Sequence, residues 1–321
     1  MAMPAALEGK LRIPLIGAPM FIVSGPDLVI AQCQAGIVGS FPALNARPQP
    51  VLGEWIQRIR DELGAYAEDH PDEPVAPFAV NQIAHASNSR LRADMETCVE
   101  HEVPIIITSL RPPEEIVAAV HAYGGLVFHD IISLRHARKA IAQGVDGIIA
   151  VCSGAGGHAG PLNPFALVKE IRREFDGTLI LSGCITNGND VLAALALGAD
   201  LAYSGTRFIA TNEARAVQDY KQMVVDSRAD DIVYSSLFTG VHGNYLRGSI
   251  RESGLDPDNL PEGDKSKMDF GSSSVTDAKA WKDIWGAGQG VGSINESLPA
   301  RDVVLQMERE FRDAKTRLVS A

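Results

Sequence analysis

The segment Ala150-Val151-Cys152-Ser153-Gly154-Ala155-Gly156-Gly157-His158-Ala159-Gly160 places one imidazole in a turn that carries four glycines in seven residues. A short apolar run leads directly into it. Glycine lets a backbone pass close against a planar or anionic ligand. A histidine held at the rim of such a ligand can move a proton near neutral pH. The pattern reads as a cofactor site with one acid/base group beside it. A tight turn with a structural histidine uses the same residue types and remains the alternative.

Further residues with chemistry to offer follow other apolar runs: Gly17-Ala18-Pro19-Met20, Asn81-Gln82, His129-Asp130, Gly183-Cys184 and Gly205-Thr206-Arg207. A Gly turn after a seventh strand, followed by Gly-Thr opening a helical turn after an eighth, is the usual phosphate cradle of α/β barrels. Backbone N–H groups and the Thr206 hydroxyl would accept a dianion there. A mononucleotide such as FMN suits that cradle, with its ring over the barrel mouth; two ordinary tight turns are the plainer reading. Gly154-Ala155-Gly156 and Gly286-Ala287-Gly288 echo a dinucleotide fingerprint but lack its full spacing. His129-Asp130 has no second cluster at ligand spacing, so no metal site is expected. Cys33, Cys98, Cys152 and Cys184 form no Cys-x-x-Cys pair and read as reduced thiols in a cytoplasm. Cys152 and Cys184 end strands and could line the site, with a buried inert thiol as the alternative for each.

These residues need a scaffold that gathers strand ends. Eight nearly all-apolar runs are read as strands: Ile13–Ile16, Ile37–Ser40, Phe78–Val80, Pro104–Thr108, Leu126–Phe128, Gly147–Val151, Leu179–Ser182 and Leu201–Ser204. Between them, apolar residues recur at helical spacing, as in Trp55, Ile56, Ile59 and Leu63. Eight alternations predict a (β/α)8 TIM barrel, an α/β fold, with a doubly wound open sheet as the alternative. After Thr211 the pattern turns polar and irregular until about Ala280. The expected division is therefore a barrel of residues 1–211 and 281–321, closed by a helix over Asp302–Leu318, with an inserted lid or substrate subdomain over 212–280. Val233, Tyr234, Leu237, Phe238, Tyr245 and Leu246 give that insertion apolar side chains to pack, and its aromatic residues are expected to shape substrate choice.

Composition bounds the function. The 321 residues are 45% apolar and 21% charged, with a net charge of −11. That balance argues against nucleic acid or an anionic membrane as partner. No apolar run approaches the roughly 20 residues of a membrane span. Met1 to Glu8 carry no basic region followed by an apolar core, so a cytoplasmic protein is expected.

Five ordered motifs carry a family resemblance. Pro14-Leu15-Ile16-Gly17-Ala18-Pro19-Met20, Pro77-Phe78-Ala79-Val80-Asn81, Gly154-Ala155-Gly156-Gly157-His158-Ala159-Gly160, the stretch Ala193–Asp200 with Gly205-Thr206-Arg207-Phe208, and Trp285-Gly286-Ala287-Gly288-Gln289-Gly290 resemble segments of the nitronate monooxygenase (2-nitropropane dioxygenase-like) family. The resemblance implies an FMN-bound barrel that oxidises nitronates or nitroalkanes with dioxygen, His158 being the catalytic histidine. It assigns Ala18, Pro19, Met20 and Asn81 to flavin contact and Gly183, Gly205 and Thr206 to the phosphate. Gly157 would lie at the flavin and Gln289 near it. His129 stands where many relatives carry a lysine, and would supply that charge only when protonated. The acidic residue that many relatives carry ahead of Gly-Gly-His is absent here. FMN-dependent reductases of enoyl thioesters or quinones share these flavin-site motifs and are the alternative, with a non-catalytic binding barrel as a third reading. A small-molecule substrate and dioxygen are the expected partners, and a homodimer is a candidate assembly.

Overall fold

Eight short parallel strands follow one another around a barrel in the computed structural model, which describes residues 3–111, 114–263 and 283–320. They are β1 (Leu15–Gly17), β2 (Gly39–Pro42), β3 (Phe78–Ala84), β4 (Ile105–Leu110), β5 (Leu126–Ile131), β6 (Gly147–Val151), β8 (Thr178–Ser182) and β9 (Leu201–Ser204), while β7 (Gly157–His158) belongs to a second sheet. Hydrogen-bonded neighbours run β1-β9-β8-β6-β5-β4-β3-β2. The remaining gap is closed by a parallel bridge between Ile16 and Val38, where Gly17 N–H donates to Val38 O at 2.7 Å. The expected (β/α)8 architecture is therefore present.

Alternation along each strand sorts the side chains. Ile16, Ala79, Ile105, Ile107, Phe128, Ile149, Ile180 and Leu201 point inward and fill the barrel. Their neighbours along the chain point outward and pack under the helices, which explains why both faces of these strands are apolar.

Among the described residues, the helices that follow the strands cover the outside: α1 (Pro26–Gln34), α2 (Val51–Asp69), α3 (Leu91–Glu100), α4 (Glu114–His121), α5 (Leu134–Ala142), α6 (Pro164–Arg172) and α7 (Gly188–Leu197). Local chemistry sets their ends. Asn163 caps α6 by accepting from Phe165 N–H, with Pro164 at the first helical position. Asn187 and Asp190 form a capping box on α7, and Gly198 ends it in the left-handed region.

After β9 the pattern changes. Thr206–Ile209 makes a four-residue helix, α8, and the chain then leaves the barrel. The segment that follows contains α9 (Gln218–Asp226), the antiparallel pair β10 (Ile232–Ser235) and β11 (Gly243–Leu246), and α10 (Arg247–Glu252). Residues 264–280 of the expected insertion lie outside the described residues. β11 also pairs with β7, matching Gly243 with His158 and Asn244 with Gly157. The glycine-rich turn of the barrel is thus the third strand of the insertion's sheet. Tyr245, Ile250 and Ile284 form a small separate core there, with Val233, Phe238 and Leu260 packed on it. The final helix, α11 (Ala300–Val319), returns to the barrel and lies against α7 and α1 through Val303, Val304 and Met307.

Candidate active site

The carboxyl ends of the barrel strands open onto a cavity of about 410 Å³, within the range of roughly 300–1,000 Å³ usual for small-molecule sites. Ala18, Pro19, Met20, Asn81, Gly157, His158, Gly183, Gly205 and Thr206 all line it. These nine sequence-selected residues therefore meet around one space, although they come from five separate segments.

Two selected residues stand elsewhere. His129 is not in the cavity lining; it is buried on the outer face of β5, between Val127 and Ile131, with Nδ1 2.8 Å from Thr108 Oγ1. Strand alternation is the reason: Phe128 and Asp130 point inward, so His129 must point towards the helices. Burial pulls its imidazole down to about 4, helped by the nearby His136. It is therefore neutral at neutral pH and supplies no cation to the cavity. Gln289 likewise does not line the cavity. Its backbone N–H donates to Gly154 O at 2.9 Å, so it anchors the turn, while its neighbours Gly288 and Gly290 face the cavity.

The glycine-rich turn is clamped from two sides. Asn244 Nδ2 on β11 donates to Ala155 O at 2.6 Å, and Thr206 Oγ1 accepts from Gly288 N–H at 2.9 Å. A Cβ on Gly156 would lie 2.8 Å from Gly288 N and 3.0 Å from Thr206 Oγ1, so only glycine lets the three segments meet. Gly154 has φ +83°, and a Cβ there would fall 2.5 Å from Cys184 Sγ. The Thr206 hydroxyl spends one lone pair on Gly288 and keeps its O–H to donate. Bare backbone at Gly156, Gly157, Gly183 and Gly205, together with that hydroxyl, fits a flat ring carrying a phosphate.

His158 faces this space from β7. Its Nε2 lies 2.8 Å from Thr239 Oγ1, and the same hydroxyl donates to Val241 O at 3.0 Å. The ring is half-buried, with protein close enough on its other sides that burial pulls its pKa down to about 4. Its resting form is the neutral imidazole.

Below these groups a polar chain crosses the cavity floor. Asn81 Nδ2 donates to Ser109 Oγ at 3.0 Å, and Ser109 Oγ–H donates to Asp130 Oδ2 at 2.6 Å. Burial pushes the Asp130 carboxyl up to about 6. Asp130, Ser109, Tyr203 and His136 all line the cavity; of these the sequence pattern points only to Asp130, as a strand-end residue beside His129 and without a role. Counting strand parity from Phe128 and Leu201 would have turned Asp130 and Tyr203 inward. Cys184 also borders the cavity and is exposed, whereas Cys152 is fully buried. The aromatic residues Tyr234, Phe238 and Tyr245 do not line the cavity; among the described residues of the expected insertion, Tyr220 and Val241 do.

Backbone strain gathers at the same place. Of the four non-glycine residues with positive φ among the described residues, Ile22, Leu110 and Cys184 border the cavity. Such conformations persist only where surrounding structure enforces them. Among the described residues no helix is long and apolar enough to cross a membrane, and no group of His, Cys, Asp or Glu side chains could hold a metal ion.

Known proteins share this architecture. The chain is 27% identical over 345 residues to a nitronate monooxygenase of Paraburkholderia phytofirmans, covering 94% of this chain and 93% of that one. The structure of a nitroalkane oxidase from Streptomyces ansochromogenes superposes with a TM-score of 0.82 at 25% identity, over 98% of this chain and 100% of that chain. FabK from Thermotoga maritima has the same fold, with a TM-score of 0.77 at 24% identity, over 98% of this chain and 97% of its own. A family profile described as nitronate monooxygenase matches residues 41–310, and the chain accordingly belongs to the nitronate monooxygenase family of flavin-dependent oxidoreductases.

Proposed function

We propose that this protein is an FMN-dependent nitronate monooxygenase that converts alkyl nitronates, or nitroalkanes, and dioxygen to carbonyl compounds and nitrite. The observation that carries this reading is the placement of His158 on the same cavity as the glycine-lined cradle of Gly183, Gly205 and Thr206. When bound, the flavin supplies the electron-accepting chemistry, while the protein orients the reactants and manages protons.

Gly183, Gly205 and Thr206 would hold the FMN phosphate, and Ala18, Pro19, Met20, Asn81 and Gly157 would meet the rest of the cofactor. A single cradle, with no dinucleotide fingerprint, supports FMN over FAD. His158 is neutral at neutral pH, so it is suited to take the α-proton of an un-ionised nitroalkane. A nitronate beside it would favour the protonated ring, because an opposite charge raises the pKa of a histidine. The Thr239 hydroxyl holds the imidazole in position for both roles. The insertion would act as a lid, with Tyr220 and Val241 setting the shape of the substrate space.

Anaerobic mixing of the purified protein with a nitronate, NADH and NADPH in turn tests the reading. Rapid bleaching of the flavin band by the nitronate is expected. Rapid bleaching by a nicotinamide, with none by the nitronate, would overturn it in favour of a reductase of enoyl thioesters or quinones.

A further inference from the structure

The cavity floor holds two polar atoms that the protein leaves unsatisfied. Among the described residues, Asp130 Oδ1 and Tyr203 Oη are the orphaned buried side-chain atoms that belong to cavity-lining residues. Buried polar groups nearly always find a partner, so orphans facing a cavity point to a ligand or an ordered water.

The surrounding bonds define what that ligand must offer. Asp130 Oδ2 is taken by Ser109 Oγ–H, and the Ser109 oxygen is taken by Asn81 Nδ2, which also donates to Ile107 O at 3.3 Å. The chain therefore ends at Asp130 with one oxygen left over. Burial, and then the charge of Asp130, hold the Tyr203 phenol well above its ordinary pKa, so Tyr203 keeps its proton. Tyr203 can donate and an ionised Asp130 can accept, yet they are not bonded to each other. A group that satisfies both must carry a donor beside an acceptor. A hydroxyl does so, and so does an imide N–H flanked by a carbonyl. A nitronate does not: it offers only acceptor oxygens, and its negative charge is repelled by the carboxylate.

Resting on the flavin reading above, we propose that Asp130 and Tyr203 form a two-point subsite that binds a hydroxyl or imide group of the flavin and keeps the anionic substrate off the cavity floor. Both the polyol chain and the ring of a flavin carry such groups. The subsite anchors the cofactor from beneath, on β5 and β9, independently of the phosphate cradle.

Full-length wild type, Asp130→Asn and Tyr203→Phe, each stripped of flavin, are titrated with FMN, riboflavin and lumiflavin, with flavin fluorescence reporting binding. Asp130→Asn presents an amide N–H where the ligand also donates, and Tyr203→Phe removes one hydroxyl without changing the ring. Each is expected to raise the dissociation constant for FMN about tenfold or more. An equal loss for lumiflavin assigns the subsite to the ring imide. A loss confined to FMN and riboflavin assigns it to the polyol. Unchanged dissociation constants for all three flavins overturn the proposal, and a rise in nitronate KM with unchanged flavin binding moves the subsite to the substrate. If Asp130→Asn does not fold, as judged by its melting curve, Tyr203→Phe decides alone. Failure of the wild type to bind any flavin would instead refute the proposed function.

Discussion

His158 and Thr239 lie 81 residues apart and are joined by a 2.8 Å hydrogen bond between Nε2 and Oγ1. The bond links the turn after β6 to the insertion. Thr239→Val should keep the fold and the bound flavin but lower kcat about tenfold, because the imidazole loses its orientation. Thr239→Ser should restore most of the rate. Wild-type kcat in the valine variant would show that the ring is oriented by other contacts.

His158→Asn should lower turnover about 10²-fold or more, the usual scale for a positioned acid/base group. Flavin content should stay near wild type, since the glycines and the Thr206–Gly288 bond hold the turn. Oxygen uptake with a nitroalkane and with its pre-formed nitronate separates the two roles. A base is needed for the first substrate alone, while an electrostatic group is needed for both. Undiminished uptake with both substrates would make His158 structural.

Gly156→Ala would push a methyl against Gly288 N and Ala287 C, both backbone atoms that cannot rotate away. Overpacking of this kind costs about 1–3 kcal/mol. A lower melting temperature and weaker flavin retention are expected together. Gly205→Ala is the contrast for stability, because its Cβ meets only ordinary van der Waals neighbours, Ala18 Cβ at 3.4 Å and Met20 Sδ at 3.7 Å. Equal melting temperatures for the two variants would refute the clamp at Gly156.

Acid stability should report the buried histidines. In the fold His129 is drawn down from 6.5 to about 4, so the unfolded chain takes up its proton first as the pH falls. The associated stability is present above pH 6.5 and is lost progressively towards pH 4, on the order of 3 kcal/mol for this group. His158 acts in the same direction and window. Asp130, raised from 3.8 to about 6, acts in the opposite sense: its contribution is present below pH 3.8 and lost as the pH rises through 6. Urea unfolding of wild type and His129→Gln at pH 7 and pH 5 measures the difference. A glutamine variant that loses as much stability as wild type over this interval would contradict the assignment.

Much of the barrel was legible because its signal is local. Each strand is an apolar run between turn residues, and the eight expected runs all overlap observed strands. The ladders of β1 and β2 start two residues later than the apolar runs, since adjacent apolar residues extend each run ahead of the hydrogen-bonded ladder. His129 departs from its expected place because β5 continues to Ile131, so strand parity and not a loop sets where its side chain points. Phe128 faces inward, so Asp130 follows it and His129 cannot. Thr239 had no readable signal. Its role depends on β11 pairing with a two-residue strand far away in sequence, and no periodicity develops over two residues.

The pairing of β7 with β11 bears on how this enzyme could be re-engineered. The insertion is not a detachable cap: excising it would strip Gly157 and His158 of their neighbouring strand, and Ala155 of the Asn244 amide. A chimera that borrows another protein's insertion would also exchange the support of its own histidine. Grafts should therefore span the turn and the insertion as one cassette, from β6 to the loop before α6 and again from α8 to Gly290, with the rest of the barrel left unchanged.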